Sequence, residues 1–359
     1  MTTMRNRNHR QPRTEVHAYP VGVVAILIAL IGLPGYGCRR YPNDEAPPRE
    51  VVLYTSVDEG FARLVLAAFE KNSGVNVSVV FDSEAGKTTG LVNRIIREAQ
   101  SGRPRADVFW SGELFNTILL ARRGFLERYE PASTADIPER FRDPDRRWTA
   151  LAVRARVLAF DPGQTSAGDL PAKWEELAQP HFAARTAIAN PLFGTTRSHV
   201  AAMFAVWGPE RARAWLTAVR DGGAIVADSN SATVRALSDG RAALAATDSD
   251  DVWVAQRAGQ RLDLRYLDMG HGGTLLIPCS LAIIRGGPNP NEAGSLVDYL
   301  ASAEVERMLA ESDSRNVPVR APLREALGME WPPESAVDFE RVADAMDEAT
   351  AAVREILIR

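Results

Sequence analysis

From residue 50 onward, apolar runs of two different periods take turns along the chain. "EVVLYTS" is a β-run ending in small polar residues, and "EGFARLVLAAFEKNSG" behind it is apolar at helical spacing and stopped by Gly74. The succession returns twice: "VNVSVVFD" leads through "SEAGKTTG" into "LVNRIIREAQSG", and "ADVFW" leads through "SGE" into "LFNTILLARRG". Strand, short polar loop, helix, strand predicts a parallel sheet with helices on its faces. In such sheets ligands bind at the carboxyl ends of the strands, where the loops gather.

Beyond the loop-like "YEPASTADIPERFRDPDRRW", the strand-like "TALAVRARVLAFDP" is placed to cross into a second lobe. There strands and helices alternate again, through "TAIANP", "GTTRSHVAAMFAVWG", "AIVADS", "NSATVRALSDG", "AALAATD" and "SDDVWVAQRAG". "LDLRYLDMGHGGTLLIPCSLAIIRG" reads as two strands returning to the first lobe, and "EAGSLVDYLASAEVERMLAES" and "FERVADAMDEATAAVREILI" as closing helices. The expected organisation is lobe 1 over residues 51–152 and 268–359, with lobe 2 over 153–267. At 359 residues the α/β chain is long enough for two cores.

The N-terminus departs from this pattern. Arg5, Arg7, Arg10 and Arg13 precede an uncharged apolar run, Val21 to Leu33, and then "PGYGC". That run falls short of the roughly 20 residues a membrane span needs and fits the apolar centre of an export signal. Residues 1–38 are therefore expected to be a leader and 39–50 a polar, Pro-containing tether. Cys38, just behind the apolar run, is the candidate lipidation site, with an uncleaved anchor as the competing reading. Residues 1–40 hold six Arg and one Glu, so the remaining 36 basic and 45 acidic residues give the body a net charge of −9. No basic block suggests nucleic acid. The second cysteine, Cys279 in "TLLIPCSLAII", is expected to be a buried thiol, and the cysteine count excludes a disulfide framework.

The loops between strands and helices supply the candidate cleft residues: Thr55, Ser56 and Asp58; Asp82, Ser83, Glu84, Lys87 and Thr88; Trp110, Ser111 and Glu113; Thr195, Thr196 and Arg197; Asp228 to Ser231; and Asp248, Asp250 and Asp251. Hydroxyls and free N–H groups at helix starts suit a phosphate-like anion. The carboxylates, with Lys87 and Arg197 as the only nearby cations in these loops, favour a cation or a cationic group instead. Carboxylate oxygens suit hard metals such as ferric iron, calcium or magnesium. A metal with a bound anion, or a zwitterion, satisfies both halves of the set. The simpler role for many of these residues is N-capping. "DSDD" at Asp248 to Asp251 holds more carboxylates than one cap requires. His181, His199 and His271 lack metal-ligand spacing, and "GHGGT" has no accompanying GxSxG elbow, so it reads as a glycine-rich turn.

Several segments together resemble a bacterial extracellular solute-binding protein of the ferric-iron-binding branch, which serves ABC importers. They are "VVLYTSVDEGFARLVLAAFEKNSGVNV", "RADVFWSGELFNTILLARRGFLERYEP", "AIANPLFGTTRSHVAAM" and "GTLLIPCSLAIIRGGPNPNEAGSLVDYLASAEVERMLAES", and the likeness runs over roughly residues 50 to 320. The resemblance implies a two-lobed, type II-like periplasmic-binding-protein fold, each lobe a sheet flanked by helices, joined by two crossing strands. It further implies a monomer without catalysis or catalytic cofactor, held in the periplasm or at the cell surface, that hands its cargo to a membrane permease and an ATPase. Iron binders of this branch carry an adjacent tyrosine pair near the start of the helix that "SDDVWVAQRAG" would form. Here the place is "TDSDD". Asp58 falls near the first-loop histidine of those proteins, and Glu113 matches their third-loop glutamate. The metal set implied is Asp58, Glu113, Asp250 and Asp251, around ferric iron or another hard cation. The rival readings are a small organic anion or zwitterion, phosphate- or phosphonate-like, and more remotely an exported hydrolase.

Overall fold

The computed structural model describes residues 49–82 and 89–358. The leader and tether, with Cys38, and the loop residues Ser83, Glu84, Lys87 and Thr88 lie outside the described residues. The first lobe opens with β1 (Glu50–Thr55), α1 (Glu59–Ser73), β2 (Asn76–Phe81), α2 (Thr89–Gln100), β3 (Val108–Ser111) and α3 (Phe115–Arg122). Strands β1 to β3 are mutually parallel, as the βα repeats require. α1 ends on Gly74 in the left-handed conformation, where its N–H closes the last turn on the Glu70 carbonyl.

β4 (Thr149–Phe160) belongs to both lobes. Beyond it come α4 (Pro180–Ala183), β5 (Thr186–Ala189), α5 (Gly194–Trp207), α6 (Pro209–Asp221), β6 (Ile225–Ala227), α7 (Asn230–Ser238), β7 (Leu244–Asp248), α8 (Ser249–Arg257) and β8 (Asp263–Arg265). The chain returns along β9 (Leu276–Ile283) and closes with α9 (Pro290–Leu300), α10 (Ala303–Glu311), α11 (Ala321–Ala326) and α12 (Phe339–Ile356). The strand order is β2-β1-β3-β9-β4-β7-β5-β6, with β8 also paired to β4. The first half of β4 pairs antiparallel with β9, and its second half pairs antiparallel with β7 and β8.

A bulge at Ala152, which takes a positive φ of 45°, interrupts the β4–β9 register between Leu151 and Val153. Glu306 accepts the Ala152 N–H there at 3.0 Å, and Val153 exchanges backbone hydrogen bonds with Val317. The bulge increases local twist and aims the following residues. Arg154 and Arg156, two apart on a strand, therefore share one face of β4.

One core lies between the lobe 1 sheet and α1, α9 and α10, around Val51, Leu53, Trp110 and Leu281. A second joins Phe115, Leu158, Trp174, Phe204 and Met346, so that α12 packs along α5, α6 and α3. Burying each such aliphatic or aromatic side chain stabilises the fold by about 1.5–3 kcal/mol.

Candidate ligand-binding cleft

A cleft of about 600 Å³ opens between the ends of β1, β5 and β7. The first loop contributes Ser56, Val57 and Asp58, the start of α5 contributes Thr195 and Thr196, and residues 228–231 enter ahead of and within α7. Asp248, Asp250 and Asp251 line it from the start of α8. Leu64 on α1 and Val254 on α8, both well exposed, stand at its lips. No tyrosine or histidine is among the described residues that line it.

Arg156 organises the floor. It is fully buried, stands opposite Asp248 in the β4–β7 register, and its Nη1 lies 2.6 Å from Asp248 Oδ1. Thr195 Oγ1 donates to Asp248 Oδ2 at 2.6 Å and Asn230 Nδ2 donates to the same oxygen at 2.9 Å. Asn230 Oδ1 in turn accepts from Arg156 Nη1 and from Thr196 Oγ1. Burial opposes ionisation of Asp248, but Arg156, Arg154 and the Thr195 hydroxyl outweigh it and hold the carboxyl below its ordinary range. Asp248 is thus a charged strut already spent on the protein.

Its neighbours differ. Asp250 Oδ2 lies 3.5 Å from Arg154 Nη1, while Arg154 Nε lies 3.2 Å from Asp248 Oδ2. Burial disfavours the Arg154 charge, yet Asp250 and Asp248 more than offset this and raise its pKa. Asp251 accepts from Thr247 Oγ1 at 2.8 Å and from the Asp248 N–H at 3.3 Å. Burial, together with the Asp250 and Asp248 charges, pushes its carboxyl well above the ordinary range. Carboxylate oxygens of Asp248, Asp250 and Asp251 all lie within 4.8 Å of one another, close enough for a single ion. Cys279 closes the deep end of the cleft, its Sγ 3.9 Å from Arg154 Nη1 and its pKa pushed up by burial to about 11.

Several residues expected in the cleft face elsewhere. Glu113 is fully buried and turns back on its own helix, accepting the Phe115 N–H at 2.9 Å, the Asn116 N–H at 3.2 Å and the Ser198 hydroxyl at 3.0 Å. Burial raises its pKa against the lowering effect of these bonds. It caps α3 and links it to α5, and it does not line the cleft. Trp110 is core, edge-to-face with Phe61. Thr55 Oγ1 accepts the Val57 N–H, and Ser111 Oγ accepts the Glu113 N–H, each inside its own loop. Arg197 points away from the cleft, to Asn116 and Thr350. Ser229 lines the cleft and also caps α7 by accepting the Ala232 N–H. Asp82 accepts the Leu91 N–H in the first turn of α2.

Of the two cations expected from the loops, Arg197 points away and Lys87 lies outside the described residues; Arg154 lines the cleft instead, and Arg156 stands behind Asp248, both within a strand. The signal was in "AVRARVL", where two guanidinium groups on one face of an otherwise apolar strand require buried partners.

A family model described as "Bacterial extracellular solute-binding protein" matches residues 104–340. The chain belongs to that family. It is 26% identical over 200 residues to the Fe(3+)-binding periplasmic protein of Serratia marcescens, a match spanning 56% of each chain. It is 27% identical over 267 residues to the major ferric iron-binding protein of Neisseria meningitidis, covering 72% of this chain and 78% of the relative. Among solved structures it resembles iron-bound HitA from Pseudomonas aeruginosa, with a TM-score of 0.75 and 24% identity over 86% of this chain and 100% of that one. At that identity the likeness is one of fold, and the fold is the two-lobed type II arrangement expected from the sequence.

Proposed function

We propose that this solute-binding protein is the exported cargo-binding component of an ABC importer and that its cargo is a hard metal cation, ferric iron, held by carboxylates in the interlobe cleft. The observation that carries the reading is the convergence of Asp248, Asp250 and Asp251 within 4.8 Å at the start of α8. Asp248 is neutralised by Arg156, so Asp250 and Asp251 are the oxygen donors available to an ion, with Asp58 facing them from the first loop. Hard trivalent ions prefer such donors. The relatives' names, which describe ferric-iron binding, support the same cargo. In this role the protein works outside the cytoplasmic membrane, tethered through Cys38, and delivers the ion unchanged to a permease and its ATPase.

Arg154 favours a second reading. A guanidinium between Asp248 and Asp250 would suit a zwitterion, its anionic group on Arg154 and its amine on Asp250 and Asp251. Thermal unfolding with ferric citrate, and separately with citrate and with an aminophosphonate, distinguishes the two. A ligand at about a hundredfold its Kd stabilises the folded state by about 2.7 kcal/mol. The metal reading expects that shift with iron and its loss in Asp250→Asn. A shift with the aminophosphonate and none with any metal overturns it.

A further inference from the structure

The first turn of α5 has two sides. Thr195 and Thr196 face the cleft, and the next residue, Arg197, enters a separate groove of about 420 Å³ lined by α2, α3, α5 and α12. Phe193 stands in the wall between the two spaces and lines both. Leu119, Leu120 and Leu192 give the groove apolar walls, and among the described residues its charged ones are Arg123, Arg197, Arg354 and Asp347.

Arg197 is nearly buried. Its Nε donates to Thr350 Oγ1 and its Nη1 to Asn116 Oδ1, both at 2.9 Å. Its Nη2 lies 3.8 Å from Asp347, which is otherwise open to solvent. Asn116 is 1% exposed, with its side-chain oxygen turned to Arg197 and its side-chain amide set against the buried Glu113 carboxylate. Among the described residues, Arg123 and Arg354 have no carboxylate within ion-pair distance, although the body of the chain is acidic. Among the described residues, the groove therefore collects three guanidinium groups against one exposed carboxylate.

We infer that this groove is a second binding site, for a small multiply charged anion bearing carboxylate or phosphate groups. Guanidinium forks match the paired oxygens of both groups, and Arg197 and Asn116 are held in place before any ligand arrives. Burial lowers the pKa of Arg197; Glu113 and Asp347 raise it, and Arg354 and Arg123 lower it again, so those two guanidinium groups act on the same space. The site stands apart from the cargo cleft and does not depend on which cargo the cleft takes.

Calorimetric titration of the metal-free full chain with citrate and, separately, inorganic phosphate tests this. At least one probe should bind wild type and Arg154→Gln alike, and should bind the Arg123→Gln/Arg354→Gln variant at least about tenfold more weakly. Both of the latter residues are exposed, so the variant should fold, and its thermal unfolding without added ligand should match that of wild type. If neither probe binds, the inference is overturned. It is equally overturned if binding survives the double substitution or is lost only in Arg154→Gln, since the anion then lies in the cleft. Whichever probe binds identifies the recognised group as carboxylate or phosphate.

Discussion

Arg156→Met measures what holds the cleft floor. The side chain is removed from a fully buried position 2.6 Å from an Asp248 carboxylate that is itself 2% exposed. Breaking a buried pair by deleting one partner costs about 3–5 kcal/mol, because the other charge is left uncompensated. Two features reduce that figure here. Asp248 keeps Arg154 at 3.2 Å and the donors of Thr195 and Asn230. Arg156 also has Nε and Nη2 without partners, and each buried unpaired donor costs at least about 1 kcal/mol, which the substitution recovers. The net expectation is a loss of about 1–3 kcal/mol. Urea denaturation of the metal-free protein gives the single variants Arg156→Met and Asp248→Asn and their double variant. In this cycle the double variant should be less destabilised than the sum by about 2 kcal/mol, since neither charge is then stranded. A coupling energy below about 0.5 kcal/mol would refute the claim that the two residues form one unit.

Asp251 has a folded-state pKa above its unfolded value, so its stabilising contribution is complete below the unfolded pKa and is lost as pH rises through the folded one. The metal-free protein should lose stability across that window, Asp251→Asn should remove the loss, and metal binding should strengthen with pH and release a proton, countable by calorimetry in two buffers. Arg154→Gln removes the cation nearest Asp250, so affinity for ferric iron should rise several-fold and affinity for any zwitterion should fall; an unchanged iron affinity would mean that Arg154 does not compete for Asp250. Because no tyrosine lines the cleft among the described residues, the ferric complex should lack the visible phenolate-to-iron charge-transfer band, and a strong band in the absorption spectrum would contradict a carboxylate site.

The change from short continuous apolar runs to apolar positions at helical spacing was enough to locate the βα units, because parallel strands such as β3, β5 and β7 are buried along their whole length. It was also enough to place Ser56, Asp58, Thr195, Thr196 and the Asp248–Asp251 loop around one cleft. It failed where side-chain direction decided the outcome. Glu113 sits in a strand-to-helix loop like the others, yet its carboxylate folds back on the two nearest helix N–H groups. Arg154 and Arg156 lie within a strand rather than a loop, and Ser312, Asp313, Ser314 and Asn316 reach the cleft from a connection after α10. The question of cap or ligand at "DSDD" divides by residue: Asp251 accepts the Asp248 N–H, Asp248 is bound to Arg156, and Asp250 meets Arg154 in the open cleft.

The central claim is that Asp250 and Asp251 hold a hard cation. Equilibrium titration of the purified, metal-free chain with ferric citrate, followed by thermal unfolding and set beside the same titration of Asp250→Asn/Asp251→Asn, tests it most directly. With a citrate-only titration subtracted, wild type should show a concentration-dependent rise in melting temperature and the double variant none, both proteins being folded beforehand. An equal rise in both beyond that given by citrate alone, or no rise in wild type with any metal, would sink the carboxylate site.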